Sequence, residues 1–239
     1  MIEIDRLSVV FGGIHALNRV TVTLMAPVSG IIGPNGAGKT TFLNVLSGFV
    51  RPAEGSVRMD GLELLALPPH ARARAGLRRS FQREQVVDEM SVEDNVRVVL
   101  DPIRLSRAER ARLLDRALDY CGLTAVRRER AERLNACERR MTELARTIVG
   151  SPQLVLLDEP GAGLSQGEVE RLRQVIAGIH AFAGAQTLLI DHDVELIQAV
   201  CQDTMVLDFG MLIAAGPTAD VLRDARVRAV YLGMEEGTA

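Results

Sequence analysis

Eight residues, GPNGAGKT at 33–40, carry the most specific chemistry in this chain. They fit G-x-x-x-x-G-K-[ST], in which glycines let backbone N–H groups turn inward around phosphate oxygens. Lys39 then reaches the β- and γ-phosphates of a nucleotide, and Thr40 offers a hydroxyl to Mg²⁺. The expected phosphate cradle is Gly33, Pro34, Asn35, Gly36, Ala37, Gly38, Lys39, Thr40 and Thr41. A short apolar stretch, SGIIG, precedes it and a helical stretch, KTTFLNVLSGF, follows. That context matters because the positive end of the following helix points at the same anion.

A second segment, LVLLDEP at 154–160, ends an apolar run in two carboxylates. Asp158 is placed to hold a Mg²⁺ shell, and Glu159 to orient and polarise a water. Alone, an acidic pair at a strand end is commonly structural. With the phosphate loop upstream, it points to Mg-nucleotide hydrolysis. A kinase would need an acceptor motif, and none is visible. The third segment, RLNACERRMTELAR at 133–146, reads as a helix start. Asn135 is a good N-cap and Glu138 stands at capping-box spacing, with Cys137 inside the first turn.

The elements that must position these residues follow from periodicity. IEIDRLSVV (2–10), RVTVTL (19–24) and GSVRMDG (55–61) read as strands of a small antiparallel portion near the N-terminus. SGIIG, QLVLLDE (153–159) and AQTLLID (185–191) are near-continuous apolar runs, typical of buried parallel strands, and TMVLDFG (204–210) follows as another strand. Helical stretches such as SQGEVERLRQVIAGIHAF (165–182) separate them, which predicts an α/β sheet covered by helices. From about 83 to 150 no strand is evident. There, Leu113, Leu114, Ala117, Leu118 and Cys121 recur at helical spacing between Ser106 as N-cap and Gly122 as stop. An all-helical subdomain is therefore expected inside one 239-residue nucleotide-binding domain.

Composition bounds the partners. With 47% hydrophobic and 25% charged residues, the chain reads as a globular domain with a substantial core. A net charge of −3 and the absence of Trp argue against a nucleic-acid surface. Cys121, Cys137 and Cys201 lack metal-ligand spacing, and their odd number suits a reducing compartment. Met1 leads straight into IEIDRLSVVFGG, so no signal peptide is expected. No apolar run reaches the ~18 residues of a membrane span, so membrane contact is expected through a partner.

In this order, FGG, GPNGAGKTT, SFQ (80–82), the turn at 134–138, LLDEP and LLIDHD (188–193) resemble the ATP-binding subunits of ABC transporters over nearly the whole chain. The resemblance implies a P-loop NTPase fold of the ABC ATPase type, α/β with an antiparallel β portion and an inserted helical subdomain. It implies ATP and Mg²⁺ as ligands and hydrolysis as the reaction. Phe11 matches the aromatic that stacks on adenine. Gln82 matches the loop glutamine that senses the γ-phosphate, joins the metal shell and couples to membrane subunits. His192 matches the switch histidine, so Glu159, His192 and Gln82 form the implied catalytic set and Thr40, Gln82 and Asp158 the metal set. DEPGAGLSQGE, RRMTELAR (with Glu143 on the matching glutamate) and the tail ending in VYLG are similar to importers of branched-chain amino acids, urea and short amides. The implied partners are membrane permease subunits, a second ATPase subunit and, indirectly, a solute-binding protein. The implied location is the cytoplasmic face of the cell membrane.

Two places depart from the family. Its LSGGQ signature, which crosses a dimer interface to a γ-phosphate held by the other subunit, falls on Leu134-Asn135-Ala136-Cys137-Glu138. Asn135 can still cap and donate through its amide. Cys137 replaces the second glycine, which is expected to add bulk and restrict φ. Ser165 stands where the broad family has aspartate. One reading is a working importer subunit in a heterodimer, with the site completed by Asn135, Ala136, Cys137 and Glu138 turning over slowly. The other is a regulatory or non-transport nucleotide-binding protein with weak ATPase activity. A thiol at a helix N-terminus can also have a lowered pKa, which adds a redox role for Cys137.

Overall fold

A computed structural model describes residues 1–235, which fall into two compact units, Met1–Ala75 with Leu188 onward, and Gly76–Thr187. In the first unit, β1 (Ile2–Phe11) and β2 (Ile14–Leu24) form an antiparallel hairpin. The buried positions of β1 change parity, from Ile2 and Ile4 to Leu7 and Val9, and those of β2 change from Leu17 to Val20, Val22 and Leu24. The cause is one extra residue in each strand, Arg6 at φ 46° and Arg19 at φ 49°, where the register shifts. Side chains satisfy the backbone groups that the bulges displace. Arg6 N donates to Thr21 Oγ1 at 2.9 Å, and Arg19 N to Ser8 Oγ at 3.1 Å. This broken alternation hides the first half of β2, which begins at Ile14, five residues before the strand expected from its sequence.

β3 (Val28–Ile32) is buried throughout and delivers the chain into the phosphate loop. α1 (Lys39–Ser47) follows, and its carbonyl end receives the buried Arg72 guanidinium of α2 (Pro69–Arg74), 2.9 Å from Leu46 O. Placing a cation at that end complements the helix dipole. Between these helices, β4 (Glu54–Met59) and β5 (Leu62–Glu63) complete an antiparallel sheet in the order β2-β1-β4-β5.

The second unit begins with β6 (Leu77–Arg79). Next come α3 (Val92–Arg97) with a 3-10 turn at Val98–Leu100, α4 (Arg107–Tyr120) and α5 (Ala136–Ile148). β7 (Leu154–Asp158), buried along its length, pairs in parallel with β6, and α6 (Gln166–Ala183) follows. Capping boxes at Ser106–Glu109, Asn135–Glu138 and Ser165–Glu168 start α4, α5 and α6. Leu114, Ala117, Leu118 and Cys121 are buried, as their spacing predicts, whereas Leu113, at the edge of that face, is only half-buried. Between 83 and 150 the described residues contain helices and loops, with only an isolated bridge from Ser91 to Arg130.

β8 (Gln186–Ile190) carries the chain back into the first unit, followed by α7 (Val194–Val200). A hairpin of β9 (Asp203–Asp208) and β10 (Met211–Pro217) and the helices α8 (Thr218–Val221) and α9 (Ala225–Glu235) complete it. The strand order there is β10-β9-β3-β8, with β3 and β9 parallel from Ser29–Asp203 to Ile32–Val206. The phosphate loop leaves the carboxyl end of β3, and His192 lies just beyond the carboxyl end of its neighbour β8. Carboxyl ends of neighbouring strands are where open α/β sheets bind ligands.

Candidate functional site

In the first unit, the loop from Gly33 to Gly38 is tight because two of its glycines touch neighbouring backbone. A Cβ on Gly33 would lie 2.1 Å from Leu207 O, and one on Gly38 2.4 Å from Ala16 O. Both residues also hold positive φ, 151° and 102°. Pro34 O closes the turn by accepting from Ala37 N at 3.1 Å. Gly38 is the N-cap of α1 and has no side chain to consume the first-turn N–H groups, which leaves them for an anion. Lys39 is buried, and its ammonium donates to Gly33 O at 2.5 Å and Pro34 O at 3.0 Å, so it already lies along the loop. Asn35, Gly36 and Thr40 are exposed, Pro34 and Thr41 half-buried, and Ala37 buried.

Phe11 closes the β1–β2 hairpin opposite Ile14 and is 50% exposed, which removes a core role for it. His192 is also exposed, with Nδ1 3.8 Å from Asp191 Oδ1. Asp191 is buried, and its Oδ1 accepts from Asp193 N at 3.0 Å. Burial pushes the Asp191 carboxyl up, while that hydrogen bond and the neighbouring His192 oppose the shift.

In the second unit, the two carboxylates at the end of β7 each meet a residue from the segment that begins at the end of β6. Arg79 Nη2 lies 3.0 Å from Asp158 Oδ2, both side chains 5% exposed. Burial lowers the Arg79 pKa, and the hydrogen bond and charge of Asp158 oppose that. Gln82 Nε2 donates to Glu159 Oε2 at 2.9 Å. Between them, Ser80 N donates to Leu156 O at 2.9 Å and Ser80 Oγ accepts from Asp158 N at 3.3 Å. Glu159 has φ 49°, a left-handed conformation unusual for a side chain of this size. Such strain tends to cluster at functional sites. Gln82 is exposed, and with Nε2 engaged its amide oxygen is the end available to a cation.

The 134–138 turn is an ordinary helix start. Asn135 Oδ1 accepts from Glu138 N at 2.9 Å, and Glu138 Oε2 from Asn135 N at 3.0 Å. Cys137 belongs to α5 and holds no positive φ, so the expected restriction on φ does not arise. The residue is 5% exposed, packed into the protein. Burial pushes its thiol pKa up, opposite to the shift a redox-active thiol at a helix N-terminus needs. Asn135 and Ala136 are the exposed residues, and Glu138, half-buried, brings a negative charge to the turn. Ser165 N and Oγ both donate to Glu168 Oε2, at 2.8 and 2.6 Å, so that serine serves as the cap of α6.

Arg79 was not evident as a site residue from sequence. A charged residue on a short strand just ahead of SFQ was the available signal for Arg79.

A glycine-rich phosphate loop between β3 and α1, with a carboxylate pair ending a buried strand, defines a P-loop ATP hydrolase. The profile of the ABC transporter family matches residues 17–162. The lipopolysaccharide export system ATP-binding protein LptB of Acidithiobacillus ferridurans is 38% identical over 206 residues, 86% of this chain and 85% of that protein. The high-affinity branched-chain amino acid transport ATP-binding protein BraF of Pseudomonas aeruginosa is 32% identical over 249 residues, 98% of each chain. Among solved structures, the ADP conformation of an ATP-binding cassette of an ABC transporter superposes with a TM-score of 0.85 at 25% identity, covering 98% of each chain. The chain belongs to the ABC transporter ATP-binding family and is an ABC-type ATPase.

Proposed function

We propose that this chain is the ATP-binding subunit of an importer for branched-chain amino acids or a related amino acid or amide. The observation that carries the substrate class is coverage. The similarity to BraF runs through 98% of both chains, whereas that to LptB covers 86% of this one. The partners in this reading are permease subunits, a second ATPase subunit and, through the permease, a solute-binding protein. No described helix is long and apolar enough to cross a membrane, so these permeases would hold the chain at the inner face of the membrane.

In this reading the backbone N–H groups of the loop from Asn35 to Thr41 and the Lys39 ammonium bind the phosphates, while Phe11 stacks on adenine. Glu159 orients and polarises water for in-line attack on the γ-phosphate, Gln82 holds Glu159, and His192 contacts the γ-phosphate. The donors Thr40, Gln82 and Asp158 are all oxygens, a set that suits Mg²⁺, which commonly takes one or two carboxylates together with substrate phosphates. Bound there, the ion would neutralise charge on the transferred group. Asp158 has Arg79 beside it to balance its own charge.

The signature turn supports an asymmetric dimer, for an electrostatic reason. Glu138 stands where the family has a neutral glutamine, and a carboxylate near a γ-phosphate repels it. A partner with an unaltered signature would complete this chain's own site, and a heterodimer is therefore favoured over a homodimer. The test is reconstitution of this chain with its permeases and candidate partner ATPase in vesicles, measuring ATP-dependent uptake of labelled leucine. Uptake supports the reading. ATP turnover stimulated by a lipid substrate without amino acid uptake would place the chain in an export system instead. ATPase activity in the absence of any permease association would favour a regulatory, non-transport role.

A further inference from the structure

Residues 80–90, which contain Gln82, form a loop without helix or strand. A loop held by exposed contacts alone would leave Gln82 mobile, because water competes for each exposed hydrogen bond. The loop is instead fastened along its length to α5. Glu143 Oε1 accepts from both Phe81 N at 3.2 Å and Gln85 N at 3.3 Å, so one oxygen brackets the residues on either side of Gln82. Its other oxygen accepts from Arg140 Nη1 at 2.7 Å. The same guanidinium donates to Phe81 O at 3.2 Å and Gln82 O at 3.4 Å. Further along, Arg146 donates to Gln85 O, and Arg139 reaches Glu84 at 3.3 Å and Asp88 at 2.7 Å.

Arg140 and Glu143 are 3% and 4% exposed. Burial pushes the Glu143 carboxyl up, and the two backbone N–H groups together with Arg140 oppose that shift. A buried pair of this kind gives little net stability over apolar residues of the same volume. An apolar pair, however, could not bond the backbone of residues 81, 82 and 85. What the two charges do here is fix where Gln82 stands. The helix that carries them is the one whose exposed first residues, Asn135 and Ala136, form the signature turn.

We infer that Arg140 and Glu143 are positioning residues for the Gln82–Glu159 contact, and that they make α5 a lever between the signature turn and this chain's own catalytic carboxylate. The inference rests on the assignment of Gln82 and Glu159 to hydrolysis. A displacement of the Asn135 end of α5 moves the loop backbone with the helix and lengthens or restores the 2.9 Å bond from Gln82 to Glu159. Engagement of the turn by a partner's nucleotide is then registered at this chain's water-polarising group, along a path that stays within one compact unit.

A double-mutant cycle in the assembled ATPase complex tests this, with ATP affinity and turnover measured separately. Glu143→Gln is expected to lower turnover about tenfold with ATP affinity unchanged. Added to Gln82→Ala, the same substitution is expected to change turnover by less than about twofold, since the group it positions is gone. Arg140→Lys keeps the charge but loses the fork to the Phe81 and Gln82 carbonyls, and gives the same turnover-only loss in a less disruptive variant. Multiplied losses in the double mutant, or unchanged turnover in both Glu143→Gln and Arg140→Lys, would overturn the inference. Full turnover in Gln82→Ala alone would refute the catalytic reading of Gln82, and the inference with it.

Discussion

Arg79→Met is the substitution whose effect the geometry predicts most sharply. The guanidinium and the Asp158 carboxylate are 3.0 Å apart and almost fully buried. At an effective dielectric constant of about 20, their attraction is about 5.5 kcal/mol, which offsets much of the cost of removing both from water. Methionine fills much of the same volume but takes the guanidinium away from the Asp158 carboxylate. Removing one member of a buried pair costs about 3–5 kcal/mol. For a chain of this length each kcal/mol moves the melting temperature by about 2–4 °C, so a fall of about 6–20 °C is expected in thermal unfolding followed by circular dichroism. Arg79 also stacks over Phe81, 4.9 Å from the ring centroid, and methionine cannot supply that cation–π attraction. Two further variants separate the causes. Arg79→Met with Asp158→Leu removes the second buried charge as well and should recover most of the loss. Arg173→Met breaks an exposed pair with Glu170, 44% and 47% exposed, and should change stability by less than about 0.5 kcal/mol. A single mutant melting within about 2 °C of the wild type would refute the buried-pair argument. A double mutant no more stable than the single would assign the loss to packing instead.

Three further outcomes follow. Gly33→Ala drives a methyl group into Leu207 O and should abolish nucleotide binding in calorimetry, since the loop cannot keep its path without moving β9. Cys137, buried and with its thiol pKa raised, should react with a maleimide at least about tenfold more slowly than in the urea-unfolded chain, and mild oxidant should leave turnover unchanged. Glu138→Gln keeps the capping geometry while removing the charge, so it should raise turnover at the site completed by α5. Cys137→Gly, by contrast, should raise nothing and should cost about 1 kcal/mol of helix propensity in addition to packing.

The sequence makes visible those parts of the fold whose physics is local. The phosphate loop, the buried strands β3 and β7, and the capped helices α4 and α6 follow from glycine spacing, apolar runs and capping boxes, and the structure has them within a residue or two. The first half of β2 is hidden because Arg19 at φ 49° breaks the alternation a strand is read from. β6 is three residues long and β10 has no fully buried position, so neither carries a periodic signal. At the site, Asp158 and Glu159 are legible as a pair, but their partners Arg79 and Gln82 are contacts across 79 and 77 residues of sequence. The expected φ restriction at Cys137 fails for an instructive reason. A residue standing in a glycine's place restricts the backbone only if the backbone there needs positive φ, and at Cys137, which lies in the first turn of a regular helix, it does not.

The central claim is that Glu159 is the group on which this chain's hydrolysis depends. Glu159→Gln keeps the size and the left-handed backbone position but removes the charge that the proposed mechanism uses to polarise water. In the assembled complex, ATP affinity should be retained while steady-state turnover falls by about 100-fold or more, the scale expected for loss of a general base. Turnover at the wild-type level in that variant would contradict the account.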